Sequence, residues 1–442
     1  MKVALHNLGC KVNAYETEAM HQMLEENGYE IVEFAPGADV YIINTCTVTN
    51  IADRKSRQML HKAKKMNPSS LVIAAGCYAQ ADSENLKKDE AIDIIIGNNR
   101  KKDLLKILSG FQKEEGISSN VIDINHTHEY ENITVSRMTE HTRAYIKVQD
   151  GCNQFCSYCI IPFARGRVRS RLPQDVLEEV KRLAAVGCHE LVLTGIHLSS
   201  YGVDLEEENL LSLIKKLHQV EGIQRIRLGS LEPGIITEEF ASELAALPKL
   251  CPHFHLSLQS GCESTLKRMN RKYTAKEYKE KCDILRKYFQ NPALTTDVIT
   301  GFPGETEEDF EESRSFVESI SFYETHIFKY SRRKGTRAAV MPDQVDDSLK
   351  AKRSAVMIAM GEKKKQAYMQ SFIGQEVKVL LEEEIRNEKG EIFWTGYTPE
   401  YIRILLPGDE WKANMTVSVI PVEITADDHL LAKKVEFSDR IY

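Results

Sequence analysis

The stretch Asp150 to Cys159, DGCNQFCSYC, places Cys152, Cys156 and Cys159 at C-x3-C-x2-C spacing directly behind a run at 145–149, YIKVQ, that reads as a β-strand. Three thiolates on one short loop can bind three irons of a 4Fe-4S cluster and leave the fourth open to an outside ligand. A structural zinc would want a fourth protein ligand, and no His or Cys follows at the usual short spacing. Three buried structural cysteines are the plain alternative. Outward from this loop, strand candidates recur at 190–194, 224–228, 253–258, 295–299 and 323–328. Helical patterns at 174–185, 210–219 and 276–288 fall between several of them. Six β/α units of this kind predict a complete or partial barrel whose active site lies at the carboxyl ends of its strands.

Toward the amino terminus, runs at 3–8, 40–44, 71–75 and 92–96 read as strands, with helix-forming stretches at 15–27 and 53–66. Strand and helix in alternation predict a parallel sheet with right-handed crossovers. Cys10, Cys46 and Cys77 each follow one of these strands, 36 and 31 residues apart. The carboxyl ends of parallel strands are where open α/β sheets hold their binding crevice, so the three cysteines form a second candidate site. Isolated buried cysteines are also common, and Cys188, Cys251, Cys262 and Cys282, which lack such spacing, are read as core thiols. Residues 113–140 are polar and read as a linker. Beyond Gly374, short runs at 377–381, 392–397, 401–405, 417–420 and 430–435 alternate with turn residues and predict a small antiparallel β-barrel.

The 442 residues are 42% hydrophobic and 28% charged, which excludes wholesale disorder, fibrous repeats and a disulfide-held mini-protein. No run approaches 18 apolar residues and the start does not read as a secretory signal, so a cytoplasmic location without a membrane partner is expected. In a reducing compartment ten cysteines point to metal or redox chemistry before disulfides. The net charge is −7; residues 371–442 carry 8 Lys/Arg against 14 Asp/Glu, leaving 50 against 51 before them. The acidity thus sits in the tail, and the body has room for basic patches.

Both cysteine sets together make the chain similar, along essentially its whole length, to the radical S-adenosylmethionine methylthiotransferases. The run Cys152–Cys159, with Tyr158 before the last cysteine, resembles the radical-SAM signature. LGCKVN, NTCTVTN and AGCYAQ resemble the auxiliary-cluster motifs, and GYTPEYIRI the small TRAM barrel. LTGIHLSSYG, RLGSLEP, HLSLQSGCESTLKRMNRKYT and DVITGFPGETEEDF resemble further family segments. The implied division is an N-terminal methylthiotransferase domain at 1–125 with the auxiliary cluster, a radical-SAM domain at 138–370 and a TRAM domain at 371–438. The resemblance implies two 4Fe-4S clusters held by the six cysteines, and S-adenosylmethionine cleaved to a 5′-deoxyadenosyl radical. It also implies a sulfur delivered, methylated, to carbon 2 of a modified adenine. A side-chain general base is not required, so no catalytic residue is assigned.

LGCKVNAYE looks closest to the branch acting on N6-threonylcarbamoyladenosine beside the tRNA anticodon. Lys11 and Val12 carry the distinction from the isopentenyladenosine branch, usually GCQMN, and from the ribosomal-protein branch. The implied partners are tRNA, a reductant such as flavodoxin or ferredoxin, and a sulfur donor. An iron-sulfur carrier or electron-transfer protein is the reading from another class, but it leaves the barrel and the basic clusters unexplained. Strand-end residues expected at S-adenosylmethionine are Thr194 and Gly195, Ser230 and Glu232, Gln259, and Gly301. The pattern G-x-I-x-G-x-x-E is only partly met, with Asp297 for its first glycine and Gly304 at the glutamate position.

Three basic clusters are candidates for a phosphate-binding rim: Arg54, Lys55, Arg57, Lys62, Lys64 and Lys65; Arg165, Arg167, Arg169 and Arg171; and Lys329, Arg332, Arg333, Lys334 and Arg337. A solvated charged face is the default for any one of them. The acidic tail is a poor general phosphate binder. Arg403, Lys412, Lys433 and Lys434 are its available cations, and Trp394, Tyr397 and Tyr401 either stack on RNA or pack against the barrel.

Overall fold

The computed structural model describes residues 1–111, 116–138 and 142–435. Parts of the stretch expected as linker, and the last residues of the expected tail module, lie outside these. Six parallel strands open the chain: β1 (Lys2–Asn7), β2 (Glu30–Ile31), β3 (Val40–Thr45), β4 (Leu71–Gly76), β5 (Ile94–Ile96) and β6 (Ser118–Asn120). They are ordered β2-β1-β3-β4-β5-β6. β3 reads VYIINT and is buried throughout, as a strand covered on both faces must be. The chain leaves β1 toward one edge and returns past it to β3, so the topological switch point lies between β1 and β3. β6 is a strand inside the segment expected as a linker. Farther along the same segment, Ile133 and Val135 are buried in the core of the following unit, so this stretch is packed despite its polar composition.

β7 (Arg143–Asp150), β9 (Glu190–Gly195), β10 (Arg225–Leu228), β11 (His253–His255), β12 (Ala293–Thr300) and β13 (Glu324–Lys329) form the expected six parallel strands. Parallel bridges Ile226↔Leu250 and Leu231↔Leu256 carry the sheet from β10 to β11. The short β8 (Arg169–Ser170) runs antiparallel beside β7. Alternation sorts the faces. Ala144, Ile146 and Val148 of β7, Leu191 and Leu193 of β9, and Ile226 and Leu228 of β10 pack outward into one apolar core under the helices. Burial of each Ile, Val or Leu there is worth about 1.5–3 kcal/mol. Arg143, Tyr145, Lys147 and Gln149, Glu190 and Thr194, Arg225 and Arg227, and His253 and His255 therefore face the lumen.

A 24-residue helix, Asp347–Gln370, leads to the closed C-terminal barrel of β14 (Val377–Arg386), β15 (Ile392–Tyr397), β16 (Arg403–Pro407), β17 (Thr416–Ile424) and β18 (Leu430–Lys434). One seam departs from the antiparallel expectation: β16 and β18 pair parallel, because β17 crosses over to close against β14. No described helix is long and apolar enough to cross a membrane.

Candidate functional site: two cysteine sets across one crevice

Cys152, Cys156 and Cys159 sit on the loop leaving the carboxyl end of β7. The loop is pinned from the far side of the barrel: the Ser157 amide donates to the Met269 carbonyl at 2.9 Å and its hydroxyl to the Arg268 carbonyl at 2.8 Å. Burial pushes the Cys152 thiol up to about 11 and Cys159 up to about 12. Thiols held that high are poor nucleophiles at neutral pH but deprotonate outright on a metal, so the environment suits ligands rather than a covalent catalyst. Neither cysteine set closes its three sulfurs within 4.8 Å of one another. Thiolates around one zinc would stand roughly 3.8 Å apart, from the usual 2.3 Å bonds, closer than either set holds its three sulfurs.

Beside this loop lies a polar group that sequence reasoning found only in part. Arg271 donates to the Cys156 sulfur at 3.1 Å and to both Glu232 oxygens at 2.9 Å, with Tyr273 at 2.9 Å from its Nε. His197 approaches Glu232 at 3.5 Å. Glu232 thus stands where it was expected, at the strand ends; Arg271, His197 and Tyr273 were missed, although Arg271 stood within the quoted segment MNRKYT. Thr194 and Gln259 are buried at the ends of their strands and Ser230 is exposed. At Gly195 a Cβ would meet the Gln149 side chain at 2.8 Å, so the glycine makes room for Gln149. Gly301 gives its amide to Glu305 at 2.8 Å, and Glu305 in turn pairs with Arg353 at 2.8 Å. The carboxylate missing from the expected pattern at Gly304 is therefore one residue later in the chain.

The second set gathers at the switch point of the first sheet. Cys10 follows β1 and precedes the helix α1 (Lys11–Glu26). Cys46 follows β3, ahead of α2 (Asn50–Met66), and Cys77 follows β4 and opens α3 (Cys77–Ala81). Two glycines permit the convergence. Gly9, at φ +127°, would with a Cβ stand 3.3 Å from the Cys46 sulfur, and Gly76, at φ +92°, would meet the Asn44 side chain at 2.4 Å. Burial first, and then the nearby Cys77 thiol, push Cys46 up to about 12.

Arg165 joins the two sets. It ends the helix Ile161–Arg165, which follows Cys159 almost at once, and its Nε lies 3.1 Å from the Cys77 sulfur. The same guanidinium reaches Asn13 at 2.9 Å and Asp150 at 3.2 Å, and pairs with Glu16. Glu16 also receives Lys147 at 2.8 Å and Lys101 at 3.1 Å, and Asp150 receives Lys147 at 2.6 Å. Burial alone would raise the Glu16 carboxyl; Arg165, Lys101 and Lys147 override it and hold it well below the usual range. Two buried carboxylates thus face four buried cations, Lys101, Lys147, Arg165 and Arg169, and an excess of positive charge borders Cys77, as thiolate ligands favour.

This network changes the reading of the second basic cluster. Arg165, Arg169 and Arg171 are at most 1% exposed and are taken up by Glu16, Asp150 and Glu179, so they form no phosphate rim. Only Arg167 reaches the surface, over the ring of Phe155 at 4.5 Å. The other two clusters come together: Asn50 takes Ser331 and Arg332 as partners at 3.1 and 3.0 Å, and buried Arg333 binds Asp53 at 2.7 Å and Thr47 at 2.7 Å. The start of α2, with exposed Arg54 and Lys55, therefore abuts the segment carrying exposed Lys329, Arg332, Lys334 and Arg337, and Arg57, Lys62 and Lys65 are exposed farther along the helix.

At the opposite end the C-terminal barrel docks under the lumen. Arg225 donates to the Tyr397 carbonyl at 2.7 Å, Arg227 donates to those of Pro399 and Thr398 at 2.7 and 3.2 Å, and Arg143 pairs with Glu382 at 3.3 Å. Tyr397 and Tyr401 stack at 4.6 Å, with Arg143 over both rings and Arg227 over Tyr401. Of the two roles considered for these tyrosines, the geometry supports packing against the barrel. Lys11, the first residue of α1, is half-buried; burial, then Arg227 and Arg143, lower its ammonium to about 8.

Residues 146–317 match the radical SAM superfamily and residues 2–97 match the uncharacterized protein family UPF0004. The chain is 40% identical to the threonylcarbamoyladenosine tRNA methylthiotransferase MtaB of Bacillus subtilis, over 96% of this chain and 93% of that protein. It is 37% identical to the tRNA-2-methylthio-N(6)-dimethylallyladenosine synthase of Thermoanaerobacter sp., over 86% and 81%. Among solved structures it resembles TsrM of Kitasatospora setae, a radical S-adenosylmethionine methyltransferase, with a TM-score of 0.55 at 16% identity over 77% of each chain, a likeness of fold.

Proposed function

The chain belongs to the tRNA methylthiotransferases of the radical S-adenosylmethionine superfamily, and on that premise we propose that it methylthiolates carbon 2 of N6-threonylcarbamoyladenosine next to the anticodon. The observation that carries this reading is the pair of three-cysteine sets at facing strand ends, joined through Arg165. The family's chemistry uses two 4Fe-4S clusters and S-adenosylmethionine. Cys152, Cys156 and Cys159 would hold the cluster that meets S-adenosylmethionine, and Cys10, Cys46 and Cys77 the second. When bound, these groups supply the radical that activates carbon 2 and the sulfur and methyl group it receives.

The protein's own residues bind, orient and shield. Arg271 offers a guanidinium to the carboxylate of S-adenosylmethionine, and Glu232 accepts from its ammonium or ribose. Thr194, Gly195, Ser230, Gln259 and Gly301 frame that pocket from the strand ends, the last through the backbone turn that Glu305 fixes. Arg165, Glu16 and Lys147 hold the two sets in register, and Tyr401 with the C-terminal barrel closes the lumen to water from below. The basic surface of α2 and residues 329–337 takes the tRNA backbone. The likeness to a tRNA-2-methylthio-N(6)-dimethylallyladenosine synthase keeps the isopentenyl substrate as the competing assignment.

The test is expression in a bacterial strain whose tRNA lacks 2-methylthio-N6-threonylcarbamoyladenosine, followed by nucleoside mass spectrometry. Restoration of that nucleoside supports the reading. Appearance of only the 2-methylthio-isopentenyl nucleoside in a strain lacking both overturns it.

A further inference from the structure

The strand pattern leading to Gly301 carries Asp297 where a glycine is expected, and nothing in the proposed reaction uses that carboxylate. Strand alternation turns it into the barrel lumen, where the two neighbouring strands bring imidazoles to it. His326 is its direct partner across β12 and β13, and His255 pairs with Thr295, two residues earlier on the same face of β12. One ligand atom from each of His255, Asp297 and His326 lies within 4.8 Å of the other two. The two rings are nearly parallel, at 22°, with centroids 5.8 Å apart.

An ordinary His–Asp hydrogen bond does not account for this group. The buried Nε2 of His255 is 3.3 Å from Asp297 Oδ2, yet it makes no hydrogen bond to that oxygen or to any other described residue. Nδ1 of the same ring lies 3.0 Å from the Thr295 hydroxyl. An N–H donated there leaves the lone pair on Nε2, the arrangement by which an outer partner orients a metal-binding histidine. No described residue donates a hydrogen bond to the Asp297 carboxylate either. Two acceptors held side by side are relieved by a cation between them. Donors held at about 2.1 Å by one ion stand about 3.0 Å apart in octahedral and about 3.4 Å in tetrahedral coordination, and the 3.3 Å separation falls between. The other cluster of this kind, Cys262, Asp309 and Glu312, differs, because Asp309 is already engaged by Arg268 at 2.8 Å and Ser264 at 2.7 Å.

We propose that His255, Asp297 and His326 bind one divalent transition-metal ion, of the class of zinc and ferrous iron, inside the barrel and apart from both cysteine sets. Two neutral imidazoles and a carboxylate suit such ions, and three donors from one wall leave further positions to water or an oxygen ligand entering the lumen. Asp297 precedes Gly301 by four residues, about 13 Å along the strand, so the ion lies below the S-adenosylmethionine pocket.

The experiment uses full-length protein with both cysteine sets reconstituted, stripped of loosely held metal and titrated anaerobically with zinc. Zinc binds such donors more tightly than ferrous iron and is counted separately from cluster iron. One zinc per chain should bind while iron content holds, and zinc-edge X-ray absorption should show nitrogen and oxygen at about 2.0–2.1 Å with no sulfur at about 2.3 Å. Thr295→Val removes only the hydroxyl behind His255 and should weaken zinc binding about 10- to 100-fold; His326→Ala, at an exposed position, should weaken it by more than that. Wild-type protein that binds no zinc, a sulfur shell around the zinc, zinc uptake that displaces iron, or an affinity unchanged in His326→Ala each overturns the proposal. The first three outcomes need no variant to fold, and none depends on which nucleoside the enzyme modifies.

Discussion

The Nε of Arg165 lies 3.1 Å from the sulfur of Cys77, 88 residues away, on a helix that begins two residues after Cys159. One guanidinium therefore fixes the loop of the central cysteine set against the sheet that carries the other. Removing it takes one of three buried cations from Glu16, which keeps Lys101 and Lys147, and one of three from Asp150, and breaking a buried pair costs up to about 3–5 kcal/mol. Arg165→Met should lower the urea midpoint of the metal-free protein by an amount of that order. After reconstitution, iron analysis should show loss from the Cys10, Cys46 and Cys77 set before the other.

Arg271 is the main cation of the strand-end pocket, and its bonds to Glu232 and Cys156 place it where a carboxylate ligand would be received. Arg271→Met should reduce 5′-deoxyadenosine formation about 10- to 100-fold, the range for a lost charge-assisted contact, while iron and sulfide content hold. Arg271→Lys should recover part of the loss, with the remaining defect appearing as a raised KM rather than a lowered kcat.

The basic surface made by α2 and residues 329–337 should act through phosphates. Arg54→Glu with Lys55→Glu, or Arg332→Glu with Lys334→Glu, should weaken tRNA binding across sequences and flatten its dependence on salt, read by filter binding from 50 to 200 mM salt. Substitution of Arg169, which is buried, should instead lower stability.

Glu190 makes the docking of the C-terminal barrel sensitive to acid. Burial alone would raise its carboxyl, but Arg227, then Arg143 and Arg225, hold it below the ordinary value. A carboxylate with a depressed folded pKa contributes stability that is complete above its unfolded value, about 4.3, and is lost as pH falls through the folded value. The stability difference between wild type and Glu190→Gln should therefore be large at pH 7 and shrink below about pH 4, as followed by denaturation across that range.

Much of the architecture was legible because its strands are written as short apolar runs ending at a cysteine, as in VYIINTC and LVIAAGC. Parallel strands buried on both faces leave that signature, and the switch-point rule then brings Cys10, Cys46 and Cys77 together. What escaped depends on partners far away in sequence. β2, β6 and β8 are two or three residues long and carry no periodicity. The alternation Arg165, Arg167, Arg169, Arg171 does put side chains on a common side, but whether that side meets phosphate or protein is decided by Glu16 and Glu179 on other elements. Tyr397 and Tyr401 read equally well as RNA-stacking or packing residues until Arg143 and Arg227 are found over their rings. Glu305 escaped because the carboxylate that fixes Gly301 stands one residue beyond the expected position.

The most direct measurement is anaerobic. Reconstituted protein, reductant and S-adenosylmethionine are incubated with tRNA carrying threonylcarbamoyladenosine, and the digested RNA is analysed by mass spectrometry. The expected result is the 2-methylthio nucleoside, abolished by Cys156→Ala and equally by Cys46→Ala. Formation of 5′-deoxyadenosine with the nucleoside left unchanged, or product that survives Cys46→Ala, would contradict the two-site reaction proposed for this protein.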